Sequence, residues 1–336
     1  MEPSLPRMRT TDDPIMHIRD ILDRHSTTFS FEFFPPKTPA AWEELFVTIR
    51  ELEPLQPSFV SVTYGAGGTT REKTHELILR IQHETNLTAV SHLTCVCHTE
   101  AELAAILDRY AESGVENILA LGGDPPRSMP DHRREQDAFA HAEGLVRFIR
   151  SRTKLPDPRG FGVGVAGFPE GHPACPNRLK EMDYLKAKVD AGADYICTQL
   201  FFDNRDFLDF RERCELAGIT VPIIAGIMPI STKAGMIRMA ELALGARFPA
   251  KLLRAVERCG DDDEAVNEVG IHFATEQCLD LLENKVRGIH FYTLNKSDAT
   301  RRIFKNLGIK NSSVFHSKSS RSAAVESGLT LTAHVG

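Results

Sequence analysis

The 336-residue chain has no CxxC pair, a single tryptophan and no excess of basic residues. No run approaches the about 18 consecutive apolar residues that a membrane helix needs. Each absence narrows the reading. Seven cysteines make an odd set, so neither a disulfide framework nor a zinc site is read from them, and a reducing compartment is expected. Cys95 and Cys97 stand two apart, a strand spacing that places both thiols on one face, where core packing is the expected role. The net charge of −6 comes from 46 acidic and 40 basic residues mixed along the chain, which argues against a phosphate backbone as the main ligand. No nucleic acid and no membrane are expected as partners. The N-terminal MEPSLPRMRTTDDPIMHIRD lacks a signal-peptide core, so the expected location is cytoplasmic. There is no GxGxxG between a first strand and a helix, no HExxH, no P-loop and no Ser-His-Asp set that can be assembled. The open dinucleotide-binding sheet and hydrolysis are therefore disfavoured.

What is present is ordinary globular material: 42% hydrophobic and 26% charged residues, enough for a sizeable core without metal or disulfide support. Eight short β-rich runs recur, each followed by a Gly, Pro or Asp turn and a charged stretch of helical period. They cover residues 29–34, 58–64, 88–94, 117–121, 162–168, 195–201, 222–227 and 288–294. Eight strands alternating with helices close most economically into a parallel α/β barrel, the (β/α)8 TIM barrel, as a single domain. Residues 21–310 are expected to form it. The proline-containing segment 1–20 and the Ser-rich segment 311–336 are expected to be mobile tails.

In such a barrel the working residues lie at the C-terminal strand ends and in the loops that follow. In FSFEFF, alternation puts Ser30, Glu32 and Phe34 on one face and Phe29, Phe31 and Phe33 on the other. With the three phenylalanines under the outer helices, Glu32 points into the barrel near its top. A carboxylate in that low dielectric should have a raised pKa and be suited to deliver a proton near neutral pH. The alternative is a strand-end glutamate reaching solvent or pairing with a lysine. Gly65, Gly67 and Gly68 permit close approach of backbone to a ligand, or simply a tight turn. His92, Asp124, His172 and Gln199 recur at the same rim. One acid, an amide, an aspartate and two histidines around an apolar rim suit a planar organic cofactor better than a metal, and no metal ligand is assigned.

The runs FSFEFFPPKT, VSVTYGAGG, SHLTC, ILALGGDPP, VAGFPEGHP, AGADYICTQLFFD and HFYTLN, in this order, resemble the methylenetetrahydrofolate reductases over roughly residues 25 to 308. The resemblance implies a barrel carrying non-covalent FAD, which passes hydride by a ping-pong route from NADH or NADPH to 5,10-methylenetetrahydrofolate. The product, 5-methyltetrahydrofolate, supplies methyl groups for methionine synthesis. By resemblance Glu32 is the general acid that opens the folate imidazolidine ring, and Asp124 is a catalytic charge facing both flavin and folate. Gln199 matches a folate ligand, Lys296 a contact to the glutamate tail, and Met239 a residue against the stacked ligand. Flavin positions carry over to Thr63, Tyr64, Ala66, His92, Gly122, Gly123, Asp124, Ala142, Phe168, His172, Glu181 and Lys188. The pattern departs at Gly122, where many relatives have arginine, and at Phe168, His141 and Met239. The resemblance is to the catalytic barrel without the regulatory domain of larger eukaryotic members. Two alternatives are another flavin barrel of the proline dehydrogenase type and a degenerate barrel that binds flavin or folate without turnover. Homo-oligomer formation and the choice between NADH and NADPH are left open.

Overall fold

The computed structural model describes residues 15–65, 70–124, 129, 131–152, 155–243 and 246–316. Eight parallel strands form a closed barrel in sequence order: β1 (Thr28–Phe33), β2 (Phe59–Val62), β3 (Ala89–Thr94), β4 (Asn117–Leu121), β5 (Gly162–Gly167), β6 (Tyr195–Thr198), β7 (Ile223–Ile227) and β8 (Gly288–Tyr292). β8 closes on β1 with Ser30 opposite His290 and Glu32 opposite Tyr292. Around it run α1 (Ile18–Arg24), α2 (Pro39–Leu52), α3 (Arg71–Glu84), α4 (Glu100–Glu112), α5 (Ala142–Arg150), α6 (Arg178–Asp190), α7 (Asn204–Leu216), α8 (Lys233–Leu242), α9 (Ala250–Arg258), α10 (Asp263–Glu283) and α11 (Asp298–Asn306).

Alternation along each strand divides the protein into two cores. Phe29, Phe31 and Phe33 are fully buried on the outer face of β1, and Phe29 and Phe31 pack on Phe304 of α11 at ring distances of 4.9 and 6.0 Å. Full burial of each such ring contributes roughly 1.5–3 kcal/mol, which fixes the strand's register and turns Glu32 inward. The inner face is filled by Phe59, Val90, Leu119, Tyr195, Cys197 and Ile224. Ile18, Ile21 and Leu22 of α1 belong to this inner cluster, so α1 plugs the N-terminal mouth and chemistry is left to the other end.

The packed structure extends past both expected tail boundaries. Ile18 is fully buried and its N–H donates to Asn117 Oδ1 at 2.8 Å. Arg19 pairs with the buried Asp194, which also accepts from Arg150 Nη2 at 2.6 Å and from the Val163 N–H at 2.7 Å. At the other end, Ser26 N–H and Oγ both donate to Phe315 O, at 2.8 and 3.0 Å, and the Phe315 ring lies 5.4 Å from that of Phe29. Tail composition concealed these docking points because each consists of a few residues without periodicity. A chain beginning at residue 21 loses the Ile18 plug and one of two cations on a buried carboxylate. The expected loss in urea unfolding is about 3 kcal/mol or more, against no change if the segment were an undocked tail.

Candidate active site

The C-terminal mouth gathers inward-facing polar side chains on strands whose outer faces are apolar. Glu32 Oε2 lies 3.5 Å from His92 Nε2 and 3.7 Å from His290 Nε2. Below it, Ser30 Oγ is 2.7 Å from His290 Nδ1 and Ser61 Oγ is 3.4 Å from Nε2, so two hydroxyls hold the His290 ring. Among the described residues Glu32 has no lysine or arginine partner, and its side chain is 18% exposed. The solvent-reaching or lysine-paired alternative is thus not what the fold builds. Burial pushes His92 down to about 4, against the pull of Glu32 and with a contribution from His290, so its imidazole is neutral at pH 7. Its Nε2 is buried without a hydrogen-bond partner and faces the carboxyl group.

Tyr292, beside Glu32 on the neighbouring β8, and Cys197 of β6 complete the floor. Tyr292 Oη donates to Thr198 O at 2.7 Å, and burial raises the pKa of both groups. A Cβ at Gly226 would lie 2.3 Å from Thr198 O and 2.8 Å from the Tyr292 ring, so glycine there makes room for the tyrosine. Gln199 follows β6 on the inward side, half-buried, and its backbone N–H donates to Gly167 O at 2.8 Å. Lys296 and Asp124 are exposed at the rim.

A second group surrounds the end of β5. Lys188 Nζ donates to Ala166 O at 2.6 Å, and burial lowers its ammonium to about 8 although Glu181 opposes the shift. Glu181 Oε1 accepts the His172 N–H at 2.9 Å. Burial raises its pKa, and its buried Oε2 makes no hydrogen bond, with Arg178 Nη1 3.7 Å away. The Phe168 and His172 rings meet edge-on at 4.6 Å. His172 is shifted down, first by burial and then by Lys188 and Arg134, while Asp124 pulls it up. These four charged groups therefore share one corner of the mouth. Ala142 opens α5, whose preceding residue His141 makes no side-chain cap.

Gly123 takes φ +77°, and a Cβ there would strike Thr94 at 2.6 Å, so this turn accepts only glycine without rearrangement. At Gly122 a Cβ would lie 3.2 Å from Arg134 Nη1, and Arg134 Nη2 donates to Gly123 O at 2.7 Å. Arg134 thus places a guanidinium beside this turn. Sequence reading missed Arg134 because its run DHRREQD carries no spacing signal. It also missed Ser61, His290, Cys197 and Tyr292, although their alternation with outward apolar residues points them inward.

Two carried-over ligand positions are buried, and one expectation changes. Met239 is 1% exposed and belongs to a cluster with Leu252 of α9 and Val266 of α10. Tyr64 is a core side chain, its hydroxyl 3.1 Å from His98 Nε2. Cys95 and Cys97 do not share a strand face, because β3 ends at Thr94 and Cys97 takes φ +59°. Thr63 is half-buried with its backbone tied to Phe33 and Thr74, and Ala66 lies outside the described residues.

The methylenetetrahydrofolate reductase family profile matches residues 17–308, which contain every element of this mouth. The chain belongs to the methylenetetrahydrofolate reductase family. It is 41% identical over 314 residues to methylenetetrahydrofolate reductase (NADH) 1 of Arabidopsis thaliana, covering 91% of this chain and 52% of the plant protein. It is 38% identical over 281 residues to the 5,10-methylenetetrahydrofolate reductase of Escherichia coli K12, covering 84% of this chain and 90% of that protein. The chain spans about half the length of the plant relatives it matches. A Clostridium thermocellum protein of uncharacterized function, whose structure holds two copies of 5-methyl-5,6,7,8-tetrahydrofolic acid, shares the barrel at a TM-score of 0.57 and 17% identity, covering 88% of this chain and 99% of that one. These matches do not favour the proline dehydrogenase alternative. Among the described residues no helix is long and apolar enough to cross a membrane. Three buried polar atoms that make no hydrogen bond, His92 Nε2, Thr94 Oγ1 and Glu181 Oε2, lie on the β3 and β5 sides of the methylenetetrahydrofolate reductase mouth. With the glycine turn and the Lys188 and Arg134 cations, they fit the family's flavin dinucleotide.

Proposed function

We propose that the chain reduces 5,10-methylenetetrahydrofolate to 5-methyltetrahydrofolate, with NADH as donor and one non-covalent FAD as carrier, supplying methyl groups for methionine synthesis. Bound FAD supplies a two-electron carrier that links two separate half-reactions. The observation that carries the reading is Glu32 at the floor of the mouth, beside a neutral histidine and without a cationic partner. NADH as donor rests on the plant relative's name.

Glu32 delivers a proton to the folate nitrogen that departs when the five-membered ring opens. His92 Nε2, at 3.5 Å, can accept a hydrogen bond from the acid or donate one to the carboxylate, so it holds the group in place through both states. Asp124 stabilises the cationic iminium left by ring opening. Gln199 offers an amide to align the pterin, and Lys296 offers a charge to the glutamate tail. For FAD, Lys188, Arg134, His172 and the uncapped N-terminus of α5 at Ala142 would hold the diphosphate. Thr63, His92, Gly122, Gly123, Phe168 and Glu181 line the remainder.

Acid precipitation tests the cofactor. The expected result is one FAD per chain released into the supernatant, with loss of colour from the pellet. Released FMN, or colour that stays with the pellet, contradicts the assignment.

A further inference from the structure

A second polar cluster lies outside the site just described, on the loop after β3. The Cys97 N–H donates to Asp137 Oδ1 at 2.7 Å and the Ala138 N–H to His98 O at 2.9 Å, so the β3–α4 loop is clamped to the segment before α5. His132 completes the group: its Nδ1 is 3.8 Å from Cys97 Sγ and its Nε2 is 2.9 Å from Asp137 Oδ1. The His132 and Asp137 side chains are only 4% and 2% exposed. Even so, His132 Nε2 makes no hydrogen bond and Asp137 Oδ2 has no partner. At 2.9 Å the two groups can neutralise each other, but a buried Asp137 Oδ2 without a hydrogen bond is unfavourable and leaves one carboxylate oxygen open to a further ligand. The sulfur, one ring nitrogen and one carboxylate oxygen lie within 4.8 Å of one another.

We propose that Cys97, His132 and Asp137 bind a single zinc ion. The donor set of one thiolate, one imidazole and one carboxylate suits a borderline-soft cation and not magnesium or calcium, which prefer all-oxygen sites. Two anionic ligands neutralise the ion, and the thiol proton is released to solvent on binding. Three protein ligands leave a fourth position for water, and binding draws the donors together toward metal distances. The competing arrangement is an activated thiol in a Cys-His-Asp relay. That requires an aligned hydrogen bond from His132 to Asp137, and Nε2 makes none. The ion would tie the β3–α4 loop to the segment carrying Arg134. This bracing role rests on the proposed function, whereas zinc uptake does not.

The test is zinc titration of the tag-free, chelator-treated full chain against a chromophoric competitor, repeated with cobalt to report the ligand set. The expected result is one zinc per chain and a thiolate-to-cobalt absorption band. Cys97→Ser should abolish the band, and Cys97→Ser and Asp137→Asn should each weaken zinc binding by at least about 10-fold. Asp137→Asn keeps an oxygen for the Cys97 N–H, so the loops stay joined. If both variants unfold by circular dichroism, the cobalt band of the parent protein decides. No zinc uptake by the parent, cobalt binding without a thiolate band, or folded variants with unchanged affinity would overturn the site.

Discussion

Glu32→Gln is expected to slow the folate half-reaction by at least about 10²-fold, the lower end of what a positioned general acid contributes. The nicotinamide half-reaction should stay within a few-fold of the parent. Glutamine preserves volume and hydrogen bonding beside His92 and His290, 3.5 and 3.7 Å from the native carboxylate, but it has no proton to give. Reduction by NADH requires none at that position, so the two half-reactions separate. A merely structural glutamate would slow both or neither. Asp124→Asn provides the contrast, because the proposed role of its charge involves both the flavin and the folate cation, so both half-reactions should change. Anaerobic stopped-flow absorbance reads each half-reaction. A folate step within a few-fold of the parent in Glu32→Gln would remove the acid role.

Lys188→Gln should weaken FAD binding about 10- to 100-fold, the equivalent of one charge-assisted hydrogen bond of roughly 1.5–3 kcal/mol. Burial holds the Lys188 ammonium at about 8, so the charge is present below that pH and lost above it. Because a bound diphosphate favours the charged form, FAD affinity of the parent should fall as pH rises through about 8. The variant's affinity should be flat across the same range. Stability of the FAD-free protein runs the other way. Between about 8 and the ordinary lysine value the unfolded chain binds more protons than the folded one, so this group makes stability rise with pH. Flavin fluorescence during titration of the FAD-free protein measures the affinity. A parallel pH dependence in parent and variant would assign the effect to another group.

The strands were legible because their signal is local. Phe29, Phe31 and Phe33 alternate with Ser30 and Glu32, and that pattern alone predicts an inward carboxylate. The partners of Glu32 were less visible, since His92 and His290 meet it only when β8 closes on β1. Arg134 reaches Gly123 from a short 3-10 turn, a contact that no period encodes. The burial of Met239 was not legible, because family position does not state which face of α8 a cluster of neighbouring apolar residues will claim. Cys97 was misplaced because strand spacing was extended three residues beyond the end of β3, into a turn with positive φ. Docking of Ile18 and Phe315 escaped composition for a similar reason. Single buried side chains anchor segments that otherwise resemble tails.

The most direct measurement is one anaerobic turnover. The FAD-loaded protein is reduced with one equivalent of NADH, freed of nucleotide, and mixed with 5,10-methylenetetrahydrofolate while absorbance and folate products are followed together. The account predicts return of the oxidised flavin spectrum with formation of one 5-methyltetrahydrofolate per chain. A flavin that stays reduced in the presence of folate, or one that reoxidises without forming that product, would contradict it.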